Sequence, residues 1–254
     1  MQIEEIKIFL DEKVKKYNQP AFIADDPISI PHLFSKKEDI EIAAFMVATI
    51  AWGRRDLILK SASNLMRILK HQPYDFLINA DEHDWMELEN FYYRTFSAVD
   101  GTYFLKALRR IYLEHGGLES LFMDGYQNGG LKYAISHFRD VFLSFDAPQR
   151  THKHVANVKK GSSAKRINMF LRWMVRNDNK GVDFGLWKGI SAADLLLPLD
   201  LHTGNVSRHL GILTRKQNDM KAVEEVMETL RIFDPLDPVK YDFALFSLGV
   251  NEQF

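Results

Sequence analysis

Lys159-Lys160-Gly161-Ser162-Ser163-Ala164-Lys165-Arg166 runs directly into Ile167-Asn168-Met169-Phe170-Leu171-Arg172-Trp173-Met174-Val175. Ile167, Phe170, Leu171 and Met174 fall at i, i+3, i+4 and i+7, the spacing of one helix face. The pattern predicts a helix from Ser163 to Val175, entered through a glycine and small residues. A helix start leaves backbone amides unpaired, and those amides bind phosphate oxygens well, more so with cations nearby. Lys159, Lys160, Gly161, Ser162, Ser163 and Arg166 are therefore candidate nucleic-acid contacts. The same segment also reads as an ordinary exposed, capped, basic helix.

Helical periodicity extends outward in both directions. Ile6, Leu10 and Val14 mark one face of a first helix. Ser35-Lys36-Lys37-Glu38 reads as a capping box opening an almost wholly apolar helix over 39–52, which predicts a central, buried element. Further helices are expected at 57–69, about 73–93, 100–114, 129–144, 218–232 and 238–249, with Ser191 and Asp200 as caps before shorter ones. No run alternates apolar and polar residues as a strand would. The expected fold is all-α, a single helical unit of two lobes with a cleft between them. About 36–145 forms mainly the first lobe, about 146–254 the second, and 1–35 packs across.

Net charge is −1 over 254 residues, so a nucleic-acid surface requires locally concentrated cations. From Arg150 to Arg176 basic residues recur with no acidic residue among them. The chain has no cysteine, which excludes disulfides, thiolate nucleophiles and iron–sulfur clusters. No basic region followed by an apolar run opens the chain, and no apolar stretch spans a bilayer; no membrane partner is expected and the cytoplasm is the expected compartment. No cofactor and no metal site is expected: His152 and His154 lack a nearby third ligand and read as exposed side chains.

A second segment carries chemistry: Leu197-Pro198-Leu199-Asp200-Leu201-His202. Asp is a favoured N-cap, and a capping carboxylate at a pocket mouth also faces substrate. An amine and a carboxylate, each at a helix start, are the parts needed for glycosidic cleavage by amine attack. A lysine nucleophile works as the neutral amine, a form that burial or nearby cations favour, and the carboxylate offsets the oxocarbenium-like charge or takes a proton. Phe170, Trp173, Trp187 and His202 are candidate pocket residues, because extruded bases are held between aromatic faces. Helical spacing gives these aromatics a core reading too. Trp52-Gly53-Arg54-Arg55 and Tyr92-Tyr93-Arg94 are ambiguous between backbone contacts and solvated helix ends.

At these residues the sequence resembles a known family. Pro198 to Arg208 resembles the Pro-Val-Asp-Thr-His segment of helix-hairpin-helix DNA glycosylases, whose Asp is catalytic. Gly161-Ser-Ser-Ala-Lys165 resembles their hairpin Gly-Val-Gly-x-Lys, with Ser163 in place of the second glycine. The Lys-to-Asp separation is long, with Asn177 to Leu195 inserted, as in archaeal 8-oxoguanine DNA glycosylases. The resemblance implies a two-lobed glycosylase-like fold, Lys165 as Schiff-base nucleophile, Asp200 as its partner, and duplex DNA with a damaged base, such as an oxidised purine, as substrate. The whole chain also resembles a bacterial family of unknown function through Ala164 to Arg176, the Pro-Leu-Asp-x-His segment and Asp237 to Phe246. A non-catalytic nucleic-acid-binding protein on the same fold and a helical ligand- or protein-binding scaffold stay open as alternatives, as does the oligomeric state.

Overall fold

The computed structural model describes residues 2–252 and 254. Among them are eleven α-helices, linked by short 3-10 turns, and no strand; the only extended pairings are the isolated bridges Tyr93–Phe96 and Ser162–Asp219. The protein is all-α. The chain divides into a discontinuous unit, the residues up to Ala24 with Asn157–Phe254, and a contiguous unit, Asp25–Ala156.

In the contiguous unit, α2 (Lys37–Ile50) is buried from Ile40 onward. An apolar helix of this kind has no polar face to offer water, so its neighbours must enclose it. α3 (Arg55–Ile68) and α4 (Pro73–Asn79) pack on it. α2 begins at Lys37, with Lys36 as an N-cap that makes no side-chain bond, rather than through a box centred on Ser35. The span predicted as one helix over 73–93 breaks into α4, α5 (Glu82–Met86) and a 3-10 turn. α6 (Ala98–Glu114) follows. α7 (Leu118–Leu143) starts well before the predicted 129 and kinks at Gly129-Gly130, where both backbones leave helical geometry. Phe45 from α2, Phe104 from α6 and Phe138 and Phe142 from α7 pack ring to ring at 4.8–5.9 Å.

The discontinuous unit holds α1 (Ile3–Tyr17), α8 (Lys165–Val175), α9 (Leu201–His209), α10 (Met220–Phe233) and α11 (Tyr241–Asn251). Ile6, Leu10 and Val14 of α1 are buried, and both α1 and α9 pack on α11. The α8 helix starts at Lys165, two residues later than predicted. After it, residues 177–199 form a long irregular return tied back to α8: the amides of Phe184 and Trp187 donate to the carbonyls of Trp173 and Met174, at 2.8 and 2.9 Å. Ser191 caps a single 3-10 turn within it.

Candidate active site

The approach to α8 is a tight hairpin. The Asn157 side chain accepts from the amide of Lys160, Gly161 takes φ +84, and the Ser162 hydroxyl accepts from the amide of Ala164. Gly161 suits its backbone, since a left-handed conformation costs glycine nothing. Ala164, the N-cap of α8, also has positive φ, +52, which is strained for a residue with a Cβ. It makes no side-chain cap bond, so the first amides of α8 have no cap from their own N-cap residue. Lys165 is the first helical residue. A cation there faces the positive end of the helix dipole, where structure alone favours Asp or Glu.

Asp200 caps α9. Its Oδ1 accepts from the Thr203 amide at 2.9 Å and the Thr203 hydroxyl at 3.1 Å, while its own amide donates to that hydroxyl at 2.8 Å. That leaves Oδ2, which stands 3.8 Å from Lys165 Nζ. Both side chains are partly accessible, 27% and 19%. The two helix starts thus present an amine and one carboxylate oxygen to the same space.

A third group was not among the candidates read from the sequence. Asp242, at the beginning of α11, is buried, and its Oδ2 accepts from Arg172. Burial pushes its carboxyl up to about 6, and the nearby Asp200 charge pushes the same way, against Arg172 and Lys165. The sequence signal was an acid inside the hydrophobic run Tyr241 to Leu248, where burial is otherwise complete but for Phe246.

The basic stretch is not a uniform surface. Arg172 and Arg176 are buried, and their charges are met inside the unit. Arg172 Nε donates to Asp183 at 3.2 Å; Arg176 reaches Asp183 at 2.9 Å, Asp178 at 2.6 Å and Asp237 at 3.0 Å. Burial opposes the Arg176 charge, but the surrounding Asp carboxylates outweigh it and hold its guanidinium above its ordinary range. These two arginines therefore cannot be phosphate contacts. In the contiguous unit Arg150 pairs with buried Asp100 at 3.0 Å. Lys159, Lys160 and Gly161 are exposed, Ser162 and Ser163 half-buried. Arg166 is partly accessible by surface area, yet its guanidinium is sunk deeply enough that burial pushes it down to about 10.

The aromatic candidates part company with His202. Phe170, Trp173 and Trp187 are all fully enclosed, with Phe170 and Trp187 in an edge contact at 5.3 Å. They belong to the core of the unit, so none offers a ring to an extruded base. His202 is exposed, edge-on to Phe246 at 6.5 Å. In the contiguous unit His154 is buried rather than exposed, stacked with Trp52 at 6.1 Å and 3.6 Å from Asp100. Arg54 pairs with Asp56, and Tyr93 is buried with its hydroxyl on the Trp52 carbonyl. No group of three or more potential metal-ligating side chains occurs among the described residues. A cavity of about 590 Å³ opens in the contiguous unit beside Val99, Tyr103, Lys106, Arg110 and Phe145. Its Arg110 is already paired with Glu114.

Residues 26–251 match the model of a protein family of unknown function, DUF2400. The chain belongs to this family. The match takes in all of the contiguous unit but its first residue, together with the hairpin, Lys165, Asp200 and Asp242. No curated protein and no solved structure matches the chain. Among the described residues no helix is long and apolar enough to cross a membrane.

Proposed function

We propose that this protein excises a damaged base from DNA, with Lys165 as nucleophile and Asp200 as its electrostatic partner. The observation that carries the reading is the 3.8 Å approach of Lys165 Nζ to Asp200 Oδ2. It joins two helix starts that lie far apart in the chain, and it puts a lysine where the helix dipole disfavours one. In the proposed reaction the neutral amine attacks C1′ of the sugar. The C1′–N bond to the base breaks, and the base leaves with the bonding electrons and takes up a proton. The Asp200 carboxylate offsets the positive charge that develops on the sugar. The C1′–O4′ bond then breaks, O4′ keeps the bonding electrons and takes up the remaining amine proton, and an imine is left between Lys165 and C1′. Exposed Lys159 and Lys160, with the hairpin amides, hold the flanking phosphates.

Borohydride trapping on a panel of damaged duplexes tests this. Reduction of the imine gives a stable covalent adduct with the wild-type chain and none with Lys165→Gln. A chain that binds these duplexes in a salt-dependent way yet forms no adduct and releases no base is a nucleic-acid-binding protein without this chemistry.

A further inference from the structure

Three consecutive residues tie the hairpin to the α9 cap. Asn218 Nδ2 donates to the backbone carbonyl of Asp200 at 2.9 Å. Asp219 forms an isolated antiparallel bridge with Ser162. The amide of Met220 donates to the carbonyl of Gly161 at 2.9 Å. One side of this tripeptide therefore grips the segment that delivers Lys165, and the other grips the residue that carries the opposing carboxylate.

The tripeptide is itself held. Arg208, further along α9 from Asp200, donates to Asn218 Oδ1 and to the carbonyls of Arg215 and Lys216, at 2.8 and 2.9 Å for the latter two. Asp219 pairs with Arg215 and caps α10 by accepting from the Ala222 amide at 3.1 Å. Gly204 makes room for the arrangement: a Cβ there would stand 2.6 Å from Asn218 Oδ1 and 3.0 Å from Arg208 Nη1. Asn218 is well suited to its place, because its amide offers a donor to Asp200 and an acceptor to Arg208 at once.

We infer that Asn218-Asp219-Met220 is a clasp that sets the spacing between the hairpin and the α9 cap, and that Asn218 is a positioning residue for Asp200 opposite Lys165. The assignment of the reacting groups rests on the function proposed above; the clasp itself rests on these hydrogen bonds. Amine attack depends steeply on geometry, and displacements of about 1 Å cost on the order of a hundredfold in rate. Neither Lys165 nor Asp200 is fixed by the other through a close hydrogen bond at 3.8 Å, so the spacing has to come from elsewhere. The clasp links both helix starts through backbone atoms, independent of the reacting side chains.

Two variants probe it. Asn218→Asp keeps the acceptor for Arg208 but replaces the donor to Asp200 with an oxygen. Gly204→Ala leaves Asn218 chemically intact and forces it to move. The chain has no cysteine, so Lys160→Cys/Asn205→Cys in each background accepts two nitroxide labels cleanly. Pulsed EPR on these labelled chains reads the hairpin-to-α9 distance, and adduct kinetics are measured separately on chains without the cysteines. Both variants are expected to broaden or shift the distance distribution while keeping helical content. Each is expected to lower the rate of adduct formation at saturating duplex by about tenfold or more, with KM changed little. Distance distributions of wild-type position and width in both variants overturn the clasp, whatever the rates. Altered distributions together with no adduct from the unlabelled wild-type chain sustain the clasp and overturn the base-excision reading instead.

Discussion

Lys165 and Asp200 stand at the starts of two helices: one is the first residue of α8, the other the cap of α9, and their charged ends lie 3.8 Å apart. Asp200 divides its carboxylate between two tasks, one oxygen capping the helix and the other facing the amine. The two tasks can be separated by substitution.

Asp200→Asn should keep the cap, because Asn caps about as well as Asp. Thermal unfolding should stay close to wild type, while base release falls by about 10²–10³-fold with loss of the charge. Parallel melting curves and single-turnover assays check this. A fully active Asp200→Asn chain removes Asp200 from the chemistry.

Asp183 accepts from Arg172 and Arg176 together inside the discontinuous unit. Asp183→Ala leaves two buried guanidinium groups short of a partner. Breaking a buried pair from one side costs about 3–5 kcal/mol, so the midpoint of urea unfolding should drop sharply. Lys188→Ala, at an exposed site, is the control and should change it little.

Asp242 gives a signed pH prediction. Its folded-state carboxyl is raised to about 6 from 3.8, so the native chain holds this proton more tightly than the unfolded chain does. Between those values the unfolded state is the more deprotonated, and stability contributed by the group declines as pH rises. Unfolding free energies of wild type and Asp242→Asn, compared from about pH 3 to pH 8, should show wild type losing ground between about pH 4 and pH 6 and the difference levelling above. A difference that is flat across that window contradicts the assignment.

Phosphate binding should follow exposure rather than composition. Lys159→Ala/Lys160→Ala should reduce the slope of log affinity against log salt by about one for each phosphate no longer neutralised. Arg172 and Arg176, though within the same basic stretch, should contribute nothing directly to that slope. Duplex binding titrated at several salt concentrations distinguishes the surface lysines from the rest.

Periodicity made much of this fold readable, because apolar spacing reports directly on which face is buried. α2, α3 and α8 lie within a few residues of their predicted limits, and the predicted face of α1 is buried. The helix expected at 129–144 corresponds to the part of α7 beyond its Gly129-Gly130 kink, but the part on the N-terminal side was not readable, where Gly125 interrupts the pattern. Lys165 and Asp200 stood out because each adjoins a distinctive helix start. Arg172 and Arg176 misled because local charge says nothing about where neutralising groups come from. Their partners begin at Asp178, just beyond the acid-free stretch, and end at Asp242. Asn218 carried no signal at all; its role comes from a hydrogen bond to one backbone carbonyl, that of the residue capping another helix.

The discontinuity of the unit that carries the pair constrains how the molecule is made. α1 is synthesised before its packing partner α11, so the apolar face of Ile6, Leu10 and Val14 waits until residues 241–251 are made before α11 can cover it. The contiguous unit, with its phenylalanine core, has all its residues in hand by Ala156. One core can therefore close early, while Lys165 and Asp200 sit in a unit whose packing waits for α11. A ribosome stalled before residue 241 holds a polypeptide with both groups present but without the helix on which α1 and α9 pack.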